Sequence, residues 1–196
     1  MRFVGIDPST KTGFVALDEH GQVLVAKELT GAGKQDPKRM ATLIDEIMRH
    51  VQSDDFIVIE GFGFASQQAI QLGGIGWGIR MSLLRRGMDY FEAAPSSVKK
   101  FVGVSDWKGE PGSKVRLQGK EKKKVVMDAV RDIYGFYNNS DNVVDAYILS
   151  RIAMNLFLAQ ETGAVLVPKH QLEVIDNILN PKEKSKKKRK ASANGK

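Results

Sequence analysis

The sequence predicts an α/β domain with a mixed five-stranded sheet flanked by helices. Three observations lead there. Three apolar strand signals follow one another within residues 1–29; a helix–strand–helix–strand alternation comes next; and two of the strands, Met1–Asp7 and Phe56–Glu60, each end on a carboxylate.

The elements follow in order. Strands are predicted at about 1–7, 13–18 and 22–29, with Glu19-His20-Gly21 as the turn between the last two. Gly13–Leu17 and Val23–Ala26 are both apolar enough for internal strands. Met40, Leu43, Ile44, Ile47, Met48 and Val51 recur at i, i+3, i+4 and i+7, the pattern of an amphipathic helix over 37–52. The strand 56–60 follows, then a helix over 65–86 whose middle is loosened by the glycine-rich stretch 73–78. Tyr90–Ala94 is a fifth strand, stopped by Pro95, and 103–119, rich in Gly, Lys and Ser, reads as a mobile loop. Val125, Val126, Ala129, Val130 and Ile133 form the apolar side of a helix over 120–134, and a last apolar helix opens at Asp141 and runs through Ile148, Ile152 and Leu156.

A chain of 196 residues that is 42% hydrophobic supports one folded domain with a sizeable core. There is no cysteine, which excludes a disulfide scaffold and any thiolate ligand or nucleophile. The N-terminus leads directly into a strand, without the charged and apolar regions of a signal peptide, and no apolar run approaches the roughly 20 residues of a bilayer span, so no membrane partner is expected. The net charge of +7 is unevenly placed: residues 182–196 hold eight Lys/Arg and one Glu, leaving 22 basic and 22 acidic residues in the body. Within the body, 99–131 hold ten Lys/Arg against four Asp/Glu. The expected organisation is a domain over 1–160, an extension over 161–181 and a disordered basic tail over 182–196.

The carboxylates carry the chemistry. Asp7 and Glu60 close oily strands, where an unpaired charge costs several kcal/mol; a bound cation removes that cost. A third acidic cluster, Asp141-Asn142-Val143-Val144-Asp145, opens the late apolar helix, with Asp141 and Asp145 one turn apart. Oxygen donors of this type suit Mg²⁺ or Mn²⁺ and phosphoryl transfer on nucleic acid. The structural alternatives are a turn cap for Asp7, a surface strand end for Glu60 and N-capping for the Asp141/Asp145 pair.

Gly5-Ile6-Asp7-Pro8-Ser9-Thr10-Lys11-Thr12-Gly13, Val58-Ile59-Glu60-Gly61, Pro95-Ser96-Ser97-Val98-Lys99-Lys100 and Asp141–Ala146 together resemble the RuvC family of Holliday-junction resolvases, in particular its divergent, phage-borne members, over about residues 2–158. The resemblance implies a ribonuclease-H-like fold in which Asp7 and Glu60 emerge side by side from parallel strands. It also implies two ions, roughly 3.5–4 Å apart, bridged by Asp7 and completed by Glu60 and Asp145. The family places an acid or histidine three residues before the last aspartate; here Asn142 stands there and the acid is Asp141, so either supplies the fourth ligand. A family lysine at the scissile phosphate falls near Lys122, with Lys120, Lys123 and Lys124 competing for the role, and Lys99 and Lys100 join the DNA-facing set. Phe62 and Phe64 correspond to an aromatic that wedges into the branch point, core packing being their alternative.

The resemblance further implies a homodimer that resolves branched DNA and four-way junctions by paired nicks, with the 73–78 stretch and Trp77 either at a dimer interface or in the core. It implies the cytoplasm of a bacterium or phage-infected host, although the basic tail also resembles a nuclear-import signal. Another ribonuclease-H-like nuclease, acting on RNA–DNA hybrid or general DNA, is the main alternative, and a non-catalytic DNA-binding protein the next. A sugar-kinase or actin-like ATPase also opens on a Gly-Ile-Asp strand-turn, but needs two such domains and a second phosphate motif that this chain lacks.

Overall fold

The structure, a computed structural model, describes residues 1–63, 69–105, 107–110 and 112–181. Its main sheet has five strands: β1 (Arg2–Asp7), β2 (Thr12–Leu17), β3 (Val23–Leu29), β4 (Asp55–Glu60) and β5 (Tyr90–Ala93). Their order across the sheet is β3-β2-β1-β4-β5. β1, β2 and β3 pair antiparallel as a meander, while β4 and β5 add in parallel on the other side of β1, giving the mixed sheet the sequence predicts.

Both faces are covered, which is why β1 and β2 are buried almost throughout. One face (Val4, Ile6, Phe14, Ala16, Ile57 and Ile59) packs against α1 (Lys38–His50) and α2 (Ala69–Arg85). The other (Phe3, Val15, Leu17, Val58 and Ala93) packs against α3 (Pro95–Phe101), α4 (Gly119–Tyr134), α5 (Asp141–Thr162) and α6 (Lys169–Leu179). α5 is long and apolar enough by composition to cross a bilayer, yet here it is the central core helix, lying across β1 and β2. It lies there because Gly5 and Gly13 carry no Cβ. A Cβ at Gly5 would stand 2.0 Å from the carbonyl oxygen of Ala146, and one at Gly13 1.9 Å from that of Asn142. Backbone therefore rests on backbone where the helix begins.

Three elements differ from the sequence reading. β3 is an edge strand and largely exposed; Val23–Ala26 are apolar, but only one neighbour pairs with them. The interval 103–119 contains a small hairpin, β6 (Trp107–Lys108) with β7 (Val115–Arg116), two residue pairs long and too short for a periodic signal. α2 runs unbroken through its glycines, because Gly74 and Gly78 let Met40 and Ile44 of α1 fit against it and Gly76 admits the Phe62 ring. Those three glycines are spent within the chain; Trp77 is half-exposed and, with Gly73, lines the cavity that also holds Asp7 and Glu60. α6, in the predicted extension, buries Val174 and Ile175 against the core, and buried Gln171 donates to the Phe101 carbonyl and the Tyr134 hydroxyl, each at 3.0 Å. Phe64 and the tail 182–196 lie outside the described residues.

Candidate active site

β1 and β4 run parallel with Ile6 opposite Ile59, so Asp7 and Glu60 leave the sheet together at its carboxyl edge, where α/β sheets gather their ligands. Strand alternation turns Asp7 to the same side as Gly5, the side that α5 covers, and the close approach at Gly5 and Gly13 brings Asp145 to the strand ends. Asp7, Glu60 and Asp145 all line one cavity of about 580 Å³. The Asp7 turn is held by others: the Thr12 hydroxyl donates to the Ser9 carbonyl at 2.7 Å, and Lys11 N–H donates to the Ser9 hydroxyl at 3.1 Å. α5 likewise has its own cap in Ser140, whose hydroxyl accepts from Val143 N–H at 3.4 Å. The acids are thus not needed as caps.

Their electrostatics are severe. Asp7 is 6% exposed, and burial, followed by the charge of Glu60, raises its pKa well above the carboxylate range. Burial and the charge of Asp145 push Glu60 from the usual 4.5 up to about 7. Burial and the charge of Asp7 push Asp145 from 3.8 up to about 7. A hydrogen bond between Asp7 and Glu60 adds to the rise of Asp7 and lessens that of Glu60. Lys99 of α3 offsets all three acids.

Asp141 and Asn142 point to different surroundings. Asp141 is ion-paired with Lys123 of α4 and its charge acts on both Asp7 and Asp145. Asn142 instead donates through Nδ2 to Glu28 of β3 at 3.4 Å and lines neither cavity beside the acids. Lys122 and Lys123 join Lys99, Asp141 and Asp145 around an adjoining cavity of about 240 Å³; Lys120 and Lys124 are exposed and do not line it. Lys100 turns the other way, to Glu173 of α6 at 2.5 Å.

Phe62 lines the acidic cavity, part-exposed, with its ring 5.3 Å from Trp77 and the Arg80 guanidinium 4.4 Å above it. Arg80 escaped the sequence reading. It is 2% exposed and donates to the Glu60 carbonyl at 3.0 Å, the Gly76 carbonyl at 3.0 Å and Glu92 at 2.6 Å, so it braces the end of β4. A lone arginine amid Ile75-Gly76-Trp77-Gly78-Ile79 was the available signal. Glu28 was missed as well; it accepts from Ser140 and Asn142 and ties β3 to the start of α5, and no local pattern marks it.

The donor set suits a hard divalent cation: oxygen only, part-buried, crowded and short of fixed positive charge. Among the described residues no three acidic or histidine side chains form a ready-made cage. A cation bound among Asp7, Glu60 and Asp145 would relieve the repulsion that raises all three.

Solved structures that match this architecture include two of RuvC. RuvC of Thermus thermophilus in complex with a Holliday junction substrate superposes with a TM-score of 0.56 at 15% identity, covering 83% of this chain and 96% of that one. The fold is the ribonuclease-H-like fold of RuvC. A second Thermus thermophilus RuvC structure gives 0.54 at 18% identity, covering 82% of this chain and 96% of that one. No family model and no curated protein matches the sequence, and at these identities the likeness to RuvC is one of fold.

Proposed function

We propose that the chain is a divalent-metal-dependent endonuclease that resolves four-way junctions and other branched DNA by paired nicks. The observation that carries this reading is the convergence of Asp7, Glu60 and Asp145 on one cavity, each with its proton affinity raised by burial and by its acidic neighbours, on a RuvC fold. The junction bound in the Thermus thermophilus RuvC complex supports branched DNA as the substrate class.

In this reading Asp7, Glu60 and Asp145 hold Mg²⁺ or Mn²⁺, and Asp141 is the preferred fourth oxygen because it lines a cavity beside Asp145, whereas Asn142 lines neither cavity. When bound, the ions supply the Lewis acidity that activates water and stabilises the leaving 3′-oxygen. The rest falls to the chain. Lys99, Lys122 and Lys123 border the acids and bind the phosphate that approaches them, and Arg80 keeps the end of β4, and with it Glu60, in position. Phe62 presents an aromatic wall beside the reacting phosphate.

A homodimer belongs to this reading because one acidic site cuts one strand and resolution takes two related cuts. Ile70, Trp77 and Leu84 recur every seven residues along α2 and are exposed, a face suited to a second copy of the chain.

The test is cleavage of a four-way junction beside linear duplex and RNA–DNA hybrid, in Mg²⁺ and in Mn²⁺, with sedimentation of the free protein. The expected result is a dimer that nicks opposing strands of the junction symmetrically. A monomer that cuts duplex or hybrid as readily as junction contradicts resolution and leaves a general ribonuclease-H-like nuclease.

A further inference from the structure

A third cavity, of about 430 Å³, lies between the β6–β7 hairpin, α3 and the start of α6. Trp107, Lys99, Lys100, Ser96, Ser105 and His170 are among its lining residues. Its volume falls within the range of about 300–1,000 Å³ usual for sites that hold a small organic group.

Trp107 has no role in the core. It is 52% exposed, on a hairpin of two residue pairs whose neighbouring positions are Lys108, Lys114 and Arg116. Beside the indole, the Trp107 backbone N–H donates to the Ser105 hydroxyl at 3.1 Å, and Lys108 forms an exposed ion pair with Glu121 of α4. Lys100 is held by Glu173, and the His170 ring lies beside Gly103. A solvent-facing aromatic among cations and small hydroxyls has the composition of a base-stacking platform rather than of a protein–protein patch, where lysine is depleted. Lys99 supplies the link to the chemistry, because it lines this cavity, the acidic cavity and the one beside α4.

We propose that this cavity takes one unstacked nucleobase of the substrate strand, with Trp107 as its stacking surface, Ser96, Ser105 and His170 facing its polar edge, and Lys99 and Lys100 meeting the flanking phosphates. The assignment rests on the nuclease reading for its position along the strand, and goes beyond it in naming a subsite outside the carboxylate centre. It implies that strands with unpaired bases bind better than fully stacked duplex.

Binding of a short oligothymidylate and of a metal-free four-way junction tests it in the full-length protein. In a Trp77→Phe background Trp107 is the sole tryptophan, and the oligothymidylate should quench its emission. Trp107→Ala should weaken binding about ten-fold or more, with Trp107→Phe restoring most of it. The log–log salt slope should stay unchanged for Trp107→Ala, whereas Lys100→Ala should lower it by about 0.7 on the oligothymidylate and about 0.9 on the junction. Emission indifferent to the oligothymidylate, together with undiminished binding by Trp107→Ala, overturns the proposal. If junctions are cut under those circumstances, the nuclease reading survives alone; if Trp107 is quenched but no junction is cut, the stacking site stands and the nuclease reading fails.

Discussion

The carboxylates and the cations that border the same cavities are held by very different parts of the fold. Asp7 and Glu60 end strands buried between two helical layers, and Asp145 stands on a helix pressed backbone to backbone against them. Lys122 and Lys123 stand on the open first turns of α4, and Trp107 on a hairpin of two residue pairs. Strands and backbone contacts hold oxygen atoms to the tolerance that metal coordination demands. Phosphate is met adequately by long, solvated side chains, since the interaction is long-ranged and tolerant of direction. Changes in the acidic half should therefore act on turnover and folding, and changes in the basic half on binding and its salt dependence.

The largest separation should come from Asp7→Asn, which keeps shape and removes the charge. Cleavage should fall about 10³-fold or more, while junction affinity measured without metal stays within a few-fold. Gly13→Val comes next: its side chain must displace the Asn142 carbonyl, 1.9 Å from the first atom added, and a loss of roughly 3 kcal/mol is expected in denaturant unfolding. An unchanged midpoint would show that α5 need not touch the sheet there.

That contact also shows what the sequence could and could not reveal. The order of strands and helices and the two strand-end acids were legible because burial on both faces writes long apolar runs, and a carboxylate at the end of one is conspicuous. Gly5 and Gly13 were visible as letters, but their purpose depends on a helix that opens only at Asp141. Spacing does not separate Asp141 from Asn142, since both lie within one helical turn of Asp145; their different partners, Lys123 on α4 and Glu28 on β3, are set by elements far away in sequence. The lysine register was illegible for the same reason. Lys99 was expected to face DNA, and its place between three cavities and beside three acids emerges only when α3 folds under the end of β5.

Lys99, on α3, crosses the division between the acidic and basic halves: Lys99→Ala should reduce turnover by about 10²-fold, because its charge offsets Asp7, Glu60 and Asp145 alike. Lys120→Ala, on an exposed position away from the cavity lining, should leave turnover nearly unchanged. Single-turnover kinetics decides, and equal effects would dissolve the distinction between the two lysines. Deleting residues 182–196 should act more gently still. Affinity should fall and the salt dependence flatten by about 0.9 per phosphate released, with turnover at low salt preserved. A slope identical to that of the full chain would show that the tail contributes no phosphate contact.

Calorimetric titration of Mn²⁺ into the metal-free protein at pH 5.5 and pH 8 tests most directly whether the acids form a cation site. Glu60 and Asp145, raised to about 7, hold protons at the lower pH and release them above it. Without metal, the folded chain binds more protons than the unfolded chain between the ordinary carboxylate values and about 7, so its stability should fall as pH rises through that window. A bound cation takes the place of those protons and reverses the loss. The expected result is binding that strengthens from pH 5.5 to pH 8 with release of protons, and that Asp7→Asn abolishes. Absence of binding at pH 8, or binding that Asp7→Asn leaves intact, contradicts it.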